Sequence, residues 1–187
     1  VLPLLLLLGL PVILGIRALG RPPGRDAFRE IAVASLGIIA IVIPLMFCLL
    51  LRLKDRGEWW VLLVLLLVKG NDIGAYLVGS KLGRTPLHPI SPKKTVEGSI
   101  AGWLLGVLVA CALIKPLGLN LFEGCFLGAL GGIAGQVGDL AESFLKRSWG
   151  VKNSGALVPS FGGALDLLDS VLGGAPVIYL VAAWMGH

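Results

Sequence analysis

The sequence predicts an all-α fold, a polytopic transmembrane helix bundle of about six spans, and two observations indicate it. First, 56% of the 187 residues are hydrophobic and only 14% are charged, whereas a typical soluble domain has about 25% charged residues. Second, the mean hydropathy is +0.91, and long apolar runs alternate with short polar connections. No internal repeat and no large polar block is evident, so we predict one membrane domain over residues 1–187.

Six apolar runs, bounded by glycine, proline and charged residues, form the predicted spans. They are residues 1–16, 30–51, 59–80, 99–115, 119–140 and 162–186. As a helix with about 1.5 Å rise per residue, the first run reaches only about 24 Å, short of the roughly 30 Å hydrocarbon core. We therefore expect the first helix to lack its beginning.

The basic residues indicate how the bundle is oriented. Eleven of them lie in the connections on one side: Arg17, Arg21, Arg25, Arg29, Lys81, Arg84, Lys93, Lys94, Lys146, Arg147 and Lys152. Four lie on the other side: Arg52, Lys54, Arg56 and Lys115. Because cytoplasmic connections are enriched in Lys and Arg, the first side is predicted to face the cytoplasm, and both ends of the chain to face away from it.

Cysteine and glycine within the apolar runs are interpreted as packing residues. Cys48, Cys111 and Cys125 have no metal-ligand spacing, so we interpret them as small core or lipid-facing residues rather than a disulfide framework. Two glycine pairs at four-residue spacing predict that the fifth span packs closely against another. These pairs are Gly128 with Gly132 and Gly131 with Gly135, and Gln136 follows them as a predicted interhelical hydrogen-bonding residue.

Four aspartates are candidate functional residues because they lie within or at the cytoplasmic half of predicted spans. They are Asp72, Asp139, Asp166 and Asp169. An ionised carboxylate at membrane depth is costly unless it is paired or binds an ion. Asp166 and Asp169 share one helix face, as do Asp139 and Glu142, and two carboxylates joined by a third from a neighbouring helix suit Mg²⁺. The alternative is that these acids cap helices or form ion pairs with Lys69, Lys146 or Arg147.

The connection "ISPKKTVEGS" supplies positive charge on the same side of the membrane. Lys93 and Lys94 lie between Ser91 and Thr95, and ammonium and hydroxyl groups can donate to phosphate oxygens. Such lysines can equally contact anionic lipid headgroups. Together with the carboxylates, they form the set of groups expected for phosphoryl or nucleotidyl transfer.

The stretches "NDIGAYLVGSKLGRTPLHPISPKKTVEG" and "GDLAESFLKRSWGVKNSGALVPSFGGALDLLDS" resemble the integral membrane phosphatidate cytidylyltransferases, or CDP-diacylglycerol synthases. The resemblance runs from about Asn71 to Ser170 and includes Ser-x-x-Lys-Arg, a following Lys, a Gly-Gly pair and two aspartates three residues apart. It implies the conversion of CTP and phosphatidate to CDP-diacylglycerol and pyrophosphate. It further implies Mg²⁺ as cofactor, with a second cation such as K⁺, a homodimer, no nucleic-acid partner, and a bacterial inner membrane location.

The resemblance also assigns roles to residues of this chain. The predicted metal ligands are Asp139, Asp166 and Asp169, which with Lys146 are also the predicted catalytic residues. The predicted substrate-binding residues are Asn71, Asp72, Tyr76, Ser91, Lys93, Lys94, Thr95, Glu97, Ser143, Arg147, Lys152, Gly162 and Gly163.

Three positions depart from the family pattern. Asn153 replaces an Asp, Phe161 replaces a His, and Leu167 replaces an Arg. Loss of the Asp and the Arg together would remove a mutual charge pair and leave the metal-binding acids in place. The alternatives are a catalytically impaired lipid- or nucleotide-binding relative and a CTP-dependent polyprenol or lipid kinase. A secondary transporter is disfavoured because repeat symmetry and midplane sites are not evident.

Overall fold

The computed structural model describes residues 15–16, 19–20, 22, 24–148 and 164–187, with side chains from Asp169 onward in the last range. The described elements are, in order, α1 (Arg25–Arg52), α2 (Gly57–Leu82), β1 (Pro86–His88), β2 (Ser91–Thr95), α3 (Val96–Ala112), α4 (Ile114–Leu117), α5 (Leu121–Ser148) and α6 (Ala164–Trp184). The described part of the chain is therefore almost entirely helical.

The chain divides into two compact units, residues 1–46 and residues 47–187. In the first unit, the described residues belong mainly to α1, whose first turn contains Asp26. A negative charge at this position interacts favourably with the helix dipole. The second unit contains residues 47–52 of α1 and all later elements.

Two helices among the described residues, α2 and α5, are long and apolar enough to cross a membrane, with 26 and 28 residues. Three shorter apolar helical segments accompany them: Ile39–Arg52, Val96–Ala112 and Asp169–Trp184. All five coincide with predicted spans, whereas the first predicted span lies almost wholly outside the described residues.

The second unit has its core where α2, α5 and α6 meet. Leu67 of α2, Leu127 of α5 and Ile178 of α6 are fully buried there. Burying such aliphatic side chains contributes roughly 1.5–3 kcal/mol each. Helix α3 packs along α2 and α5, so these four helices form one bundle.

Glycines of α5 bring this helix close to two neighbours, as the sequence predicts. A Cβ atom built at Gly128 would lie 2.7 Å from the Cα of Val107 in α3, and one built at Gly131 would lie 2.9 Å from Cγ1 of Ile178 in α6. The two predicted glycine pairs thus face different helices: Gly132 lies against Trp103 of α3 and Gly135 against Ser170 of α6.

Two local features differ from the sequence prediction. The connection after α2, predicted as a loop, forms an antiparallel hairpin in which Pro86 pairs with Thr95 and His88 with Ser91. The prolines of this connection argue against a strand prediction, because proline is disfavoured in strands away from edges. Helix α5 was predicted to end at residue 140, but it continues to Ser148. An ion pair between Glu142 and Lys146, one helical turn apart, supports the added turns.

Candidate active site

A cavity of about 530 Å³ lies in the second unit, between α2, the hairpin, α3 and α5. It brings together residues that are far apart in the sequence. Its lining consists of Asn71, Asp72, Ala75, Tyr76, Gly79, Ser80, Leu87, Ser91, Lys93, Lys94, Thr95, Gly98, Ser99, Gln136, Asp139 and Leu140. Eight of the predicted site residues are in this set: Asn71, Asp72, Tyr76, Ser91, Lys93, Lys94, Thr95 and Asp139.

Helix α2 contributes one wall of the cavity through a single face. Tyr76, Gly79 and Ser80 follow Asp72 by four, seven and eight residues, which places all four on one side of the helix. Asp72 also forms an ion pair with Lys69, at 3.4 Å between Nζ and Oδ2. One of the predicted alternatives for the aspartates, ion pairing with Lys69, is therefore confirmed for Asp72.

A buried hydrogen-bond network joins three helices beside the cavity. Asn71 Nδ2 donates to the Gly132 carbonyl at 3.0 Å. Gln136 Nε2 donates to Asn71 Oδ1 and to the Ser99 carbonyl, both at 2.8 Å. The prediction that Gln136 hydrogen-bonds between helices is thus confirmed. Since buried polar groups are costly when unpaired, these contacts fix the relative positions of α2, α3 and α5 at the cavity.

The hairpin presents the basic groups to the cavity. Lys94 forms an ion pair with Asp139 of α5, and the two side chains are only 32% and 21% exposed. Lys93 lines the same cavity from the neighbouring position. A low-dielectric setting strengthens such a charge pair relative to one in water. The cavity therefore contains the ammonium group of Lys94, which its ion pair holds in place, together with a second lysine and two carboxylates.

Two side chains hold the hairpin against the start of α3. Thr95 Oγ1 accepts a hydrogen bond from the Gly98 amide at 3.2 Å, which makes Thr95 the N-cap of α3. The Glu97 carboxylate accepts from the amides of Arg84 and Thr85 at 3.2 Å and from Thr85 Oγ1 at 3.0 Å. Glu97, predicted to bind substrate, is not among the cavity-lining residues and instead positions the segment that precedes the hairpin.

The predicted metal ligands lie on adjacent helices. A Cβ atom built at Gly138 would lie 3.0 Å from the carbonyl oxygen of Asp169, so α6 approaches α5 beside Asp139. Oδ1 of Asp169 accepts from the Ser170 amide at 2.5 Å and from Ser170 Oγ at 3.0 Å. Asp166 lies in α6, and its side chain is outside the described residues.

The donor chemistry of these acids suits Mg²⁺, which prefers carboxylate oxygens. Among the side chains that the structure describes, however, no three from Asp, Glu, His and Cys are grouped to hold a metal ion. The third predicted ligand, Asp166, has its side chain outside the described residues.

The remaining predicted residues lie away from the cavity lining or outside the described residues. Lys146 pairs with Glu142 at 2.5 Å near the end of α5, where Ser143 and Arg147 also lie. Lys152, Gly162 and Gly163 are outside the described residues.

Comparison with known proteins decides the family of the chain. A sequence profile of the cytidylyltransferase family matches residues 1–185. The chain belongs to the cytidylyltransferase family.

The relatives that this member of the cytidylyltransferase family matches support the same assignment. A phosphatidate cytidylyltransferase of Synechocystis is 52% identical over 112 residues, covering 58% of this chain and 38% of the relative. One of Helicobacter pylori is 39% identical over 140 residues, covering 70% and 51%, and one of Staphylococcus aureus is 34% identical over 160 residues, covering 84% and 61%. The chain thus spans about half the length of these curated relatives.

The cavity of this member of the cytidylyltransferase family also contains residues that the sequence does not single out, notably Ser80 and Ser99. The spacing of Ser80 from Asp72 and Tyr76 on one helix face was a signal that could have identified it. Ser99 follows the N-cap Thr95 by one turn, and no sequence pattern distinguishes it from other serines in helices.

Proposed function

We propose that this chain forms the catalytic part of a phosphatidate cytidylyltransferase, which converts CTP and phosphatidate to CDP-diacylglycerol and pyrophosphate. The observation that carries the proposal is the cavity in which Lys93 and Lys94 of the hairpin face the carboxylates of Asp72 and Asp139. Membership of the cytidylyltransferase family and the names of the matching relatives support the same reaction.

In the proposed reaction, an oxygen of the phosphatidate phosphate attacks the α-phosphorus of CTP. The bond from that phosphorus to the bridging oxygen of the β-phosphate breaks, and pyrophosphate leaves. Lys93 and Lys94 would stabilise the negative charge that develops on the leaving group. Because the ion pair with Asp139 already holds Lys94 in the cavity, this charge is in place before the nucleotide arrives.

Mg²⁺ is the proposed cofactor, held by Asp139, Asp166 and Asp169, with a second cation such as K⁺ nearby. When bound, it would polarise a phosphoryl oxygen as a Lewis acid and help to orient the two substrates. The close approach of α6 to α5 beside Asp139 supports this ligand set.

The lipid substrate would reach the cavity along α2. Tyr76 lines the cavity and is 74% exposed, and Ile73 and Leu77 beside it are 56% and 51% exposed. An apolar helix face of this kind suits acyl chains, whereas the lysines suit the phosphate headgroup. We propose that the cavity faces the cytoplasm of a bacterial inner membrane, within a bundle of about six spans that forms a homodimer.

Pyrophosphate release by the protein purified in detergent tests this function. CTP and phosphatidate are supplied together and singly, with Mg²⁺ or with excess EDTA. Release that requires both substrates and Mg²⁺ is the expected result. Binding of CTP without release would instead indicate a noncatalytic relative, in which Phe161 and Leu167 have removed activity. Phosphorylation of a polyprenol or other lipid acceptor by CTP, with release of CDP, would indicate the kinase.

A further inference from the structure

Cys111 of α3 and Cys125 of α5 bring two thiols together at the end of the bundle opposite the cavity. Their Sγ atoms are 3.5 Å apart, and neither cysteine is in a disulfide. Gly98, which lines the cavity, lies in the first turn of α3, at the other end of that helix, and Asp139 lies about four turns beyond Cys125 along α5. The thiol pair is therefore separate from the proposed active site.

The two helices approach each other closely beside this pair. A Cβ atom built at Gly124 would lie 3.6 Å from the Cα of Cys111, so the two helices nearly touch beside Cys125. One turn further, Gly128 brings α5 against Val107 of α3. A disulfide requires an S–S distance of about 2.0 Å and Cα atoms within roughly 7 Å. The sulfurs must therefore approach by about 1.5 Å, which side-chain rotation can supply.

The pair also lies close to polar residues at one end of these apolar helices. Cys125 lies on the surface of the protein, and Cys111 is partly buried. Two residues before Cys125, Glu123 exchanges hydrogen bonds with Asn120, with its Oε2 accepting from the Asn120 amide at 2.8 Å and its own amide donating to Asn120 Oδ1 at 2.9 Å. This polar start of α5 places Cys125 near the end of the apolar segment.

We propose that Cys111 and Cys125 form an oxidation site at which a reversible disulfide links α3 to α5. The oxidant is a disulfide, either a small one such as oxidised glutathione or that of a thiol oxidoreductase. The Cys125 thiolate attacks one oxidant sulfur and displaces the other as a thiolate. The Cys111 thiolate then attacks Sγ of Cys125 and displaces the second oxidant sulfur. The protein loses two protons and two electrons, and the oxidant is reduced to two thiols.

The proposal concerns a structural link, and only its cellular context rests on the proposed function. If the cavity faces the cytoplasm, the thiol pair lies on the opposite side, where disulfides persist in bacteria. The linked helices both line the cavity, so the bridge would hold the ends of α3 and α5 together without altering a residue of the proposed active site.

Peptide mapping of the protein in detergent tests the link. The protein is treated with oxidised glutathione, free thiols are alkylated, and cleavage after glutamate at Glu97, Glu123 and Glu142 places the two cysteines on separate peptides. We expect one linked species, about 2 Da lighter than the sum of its reduced peptides, that disappears with dithiothreitol. The Cys48→Ser variant should give the same species, whereas Cys111→Ser and Cys125→Ser should abolish it.

Three results would overturn the proposal: complete alkylation of both cysteines after oxidation, glutathione retained on Cys125 in the wild-type protein, or a disulfide only between two copies of the chain. Because the readout is a peptide mass, it is independent of pyrophosphate release. A protein without cytidylyltransferase activity can still form the link, and an active one can lack it.

Discussion

Lys94 and Asp139, 45 residues apart in the sequence, form the ion pair that connects the β-hairpin to α5. The other main contacts of the hairpin are to α2 and α3. The pair therefore both orients a proposed phosphate-binding lysine and closes one side of the cavity.

A double-mutant cycle should reveal the coupling between these two residues. We expect Lys94→Met and Asp139→Asn each to destabilise the protein, because each leaves a partly buried charge without its partner. The double variant should lose less stability than the two single variants lose together. The difference, the coupling free energy, should be about 1 kcal/mol, which corresponds to roughly 2–4 °C in Tm. Thermal unfolding in detergent measures it, with Lys93→Met as the neighbouring control. Additive effects of the two substitutions would show that the pair contributes nothing.

Removal of the Gln136 side-chain amide should weaken the junction of three helices. The Gln136→Leu variant loses the hydrogen bonds to Asn71 and to the Ser99 carbonyl. Leaving Oδ1 of the buried Asn71 without this donor should cost about 1–3 kcal/mol. The control is Val137→Ala, which changes an exposed residue on the same helix. Equal thermal stability of the two variants would contradict the importance of this network.

The close contact of α2 with α3 should make two glycines of α3 respond differently to substitution. A Cβ atom at Gly102 would overlap the carbonyl oxygen of Asn71, whereas one at Gly106 would lie 3.5 Å from the Leu67 carbonyl oxygen. Gly102→Ala should therefore destabilise the protein by about 1–3 kcal/mol. Gly106→Ala should be neutral or stabilising by up to about 1 kcal/mol, because alanine favours helix. Similar Tm values for both variants would argue against this helix contact.

Loss of one carboxylate at the junction of α5 and α6 should strongly reduce turnover. We expect Asp169→Asn to lower the rate of pyrophosphate release by roughly 100-fold or more, the scale of removing one electrostatic group from an active site. The protein should remain folded, with a Tm close to that of wild type. Asp55→Asn, at an exposed turn between α1 and α2, is the matched control. Full activity of Asp169→Asn would exclude Asp169 from the proposed metal site.

The sequence predicts the helices of this protein well because their signal is local. Apolar runs bounded by charges and prolines locate α2, α3 and α6 to within a few residues. Glycine spacing also predicts that α5 packs tightly, since small residues at four-residue intervals lie on one helix face. Which helix each glycine faces depends on the three-dimensional arrangement and required the structure.

The sequence predicts which residues belong to the candidate site, but it does not predict which of them contact each other. Asp139 stands out because a charged group is costly in an apolar segment, and Lys94 because it is one of two adjacent lysines in a polar connection. Nothing in the sequence indicates that the two residues contact each other. The hairpin is missed for a similar reason: its strands exist only through pairing, and three prolines in "TPLHPISPKKT" argue locally against it. The contacts of Glu97 are likewise not evident from the sequence, since its carboxylate accepts hydrogen bonds from Arg84 and Thr85, more than ten residues earlier in the chain.

Cys125 lies near the start of α5, and Asp139 lies about 21 Å further along the same helix at 1.5 Å per residue. A fluorophore or spin label attached to Cys125, in a variant where Cys48 and Cys111 are serine, would therefore lie outside the cavity but on the same helix. If α5 rotates or slides when nucleotide or lipid binds in the cavity, the signal of the label should change. The protein thus contains a natural attachment point for following ligand-induced motion without altering a residue that lines the cavity.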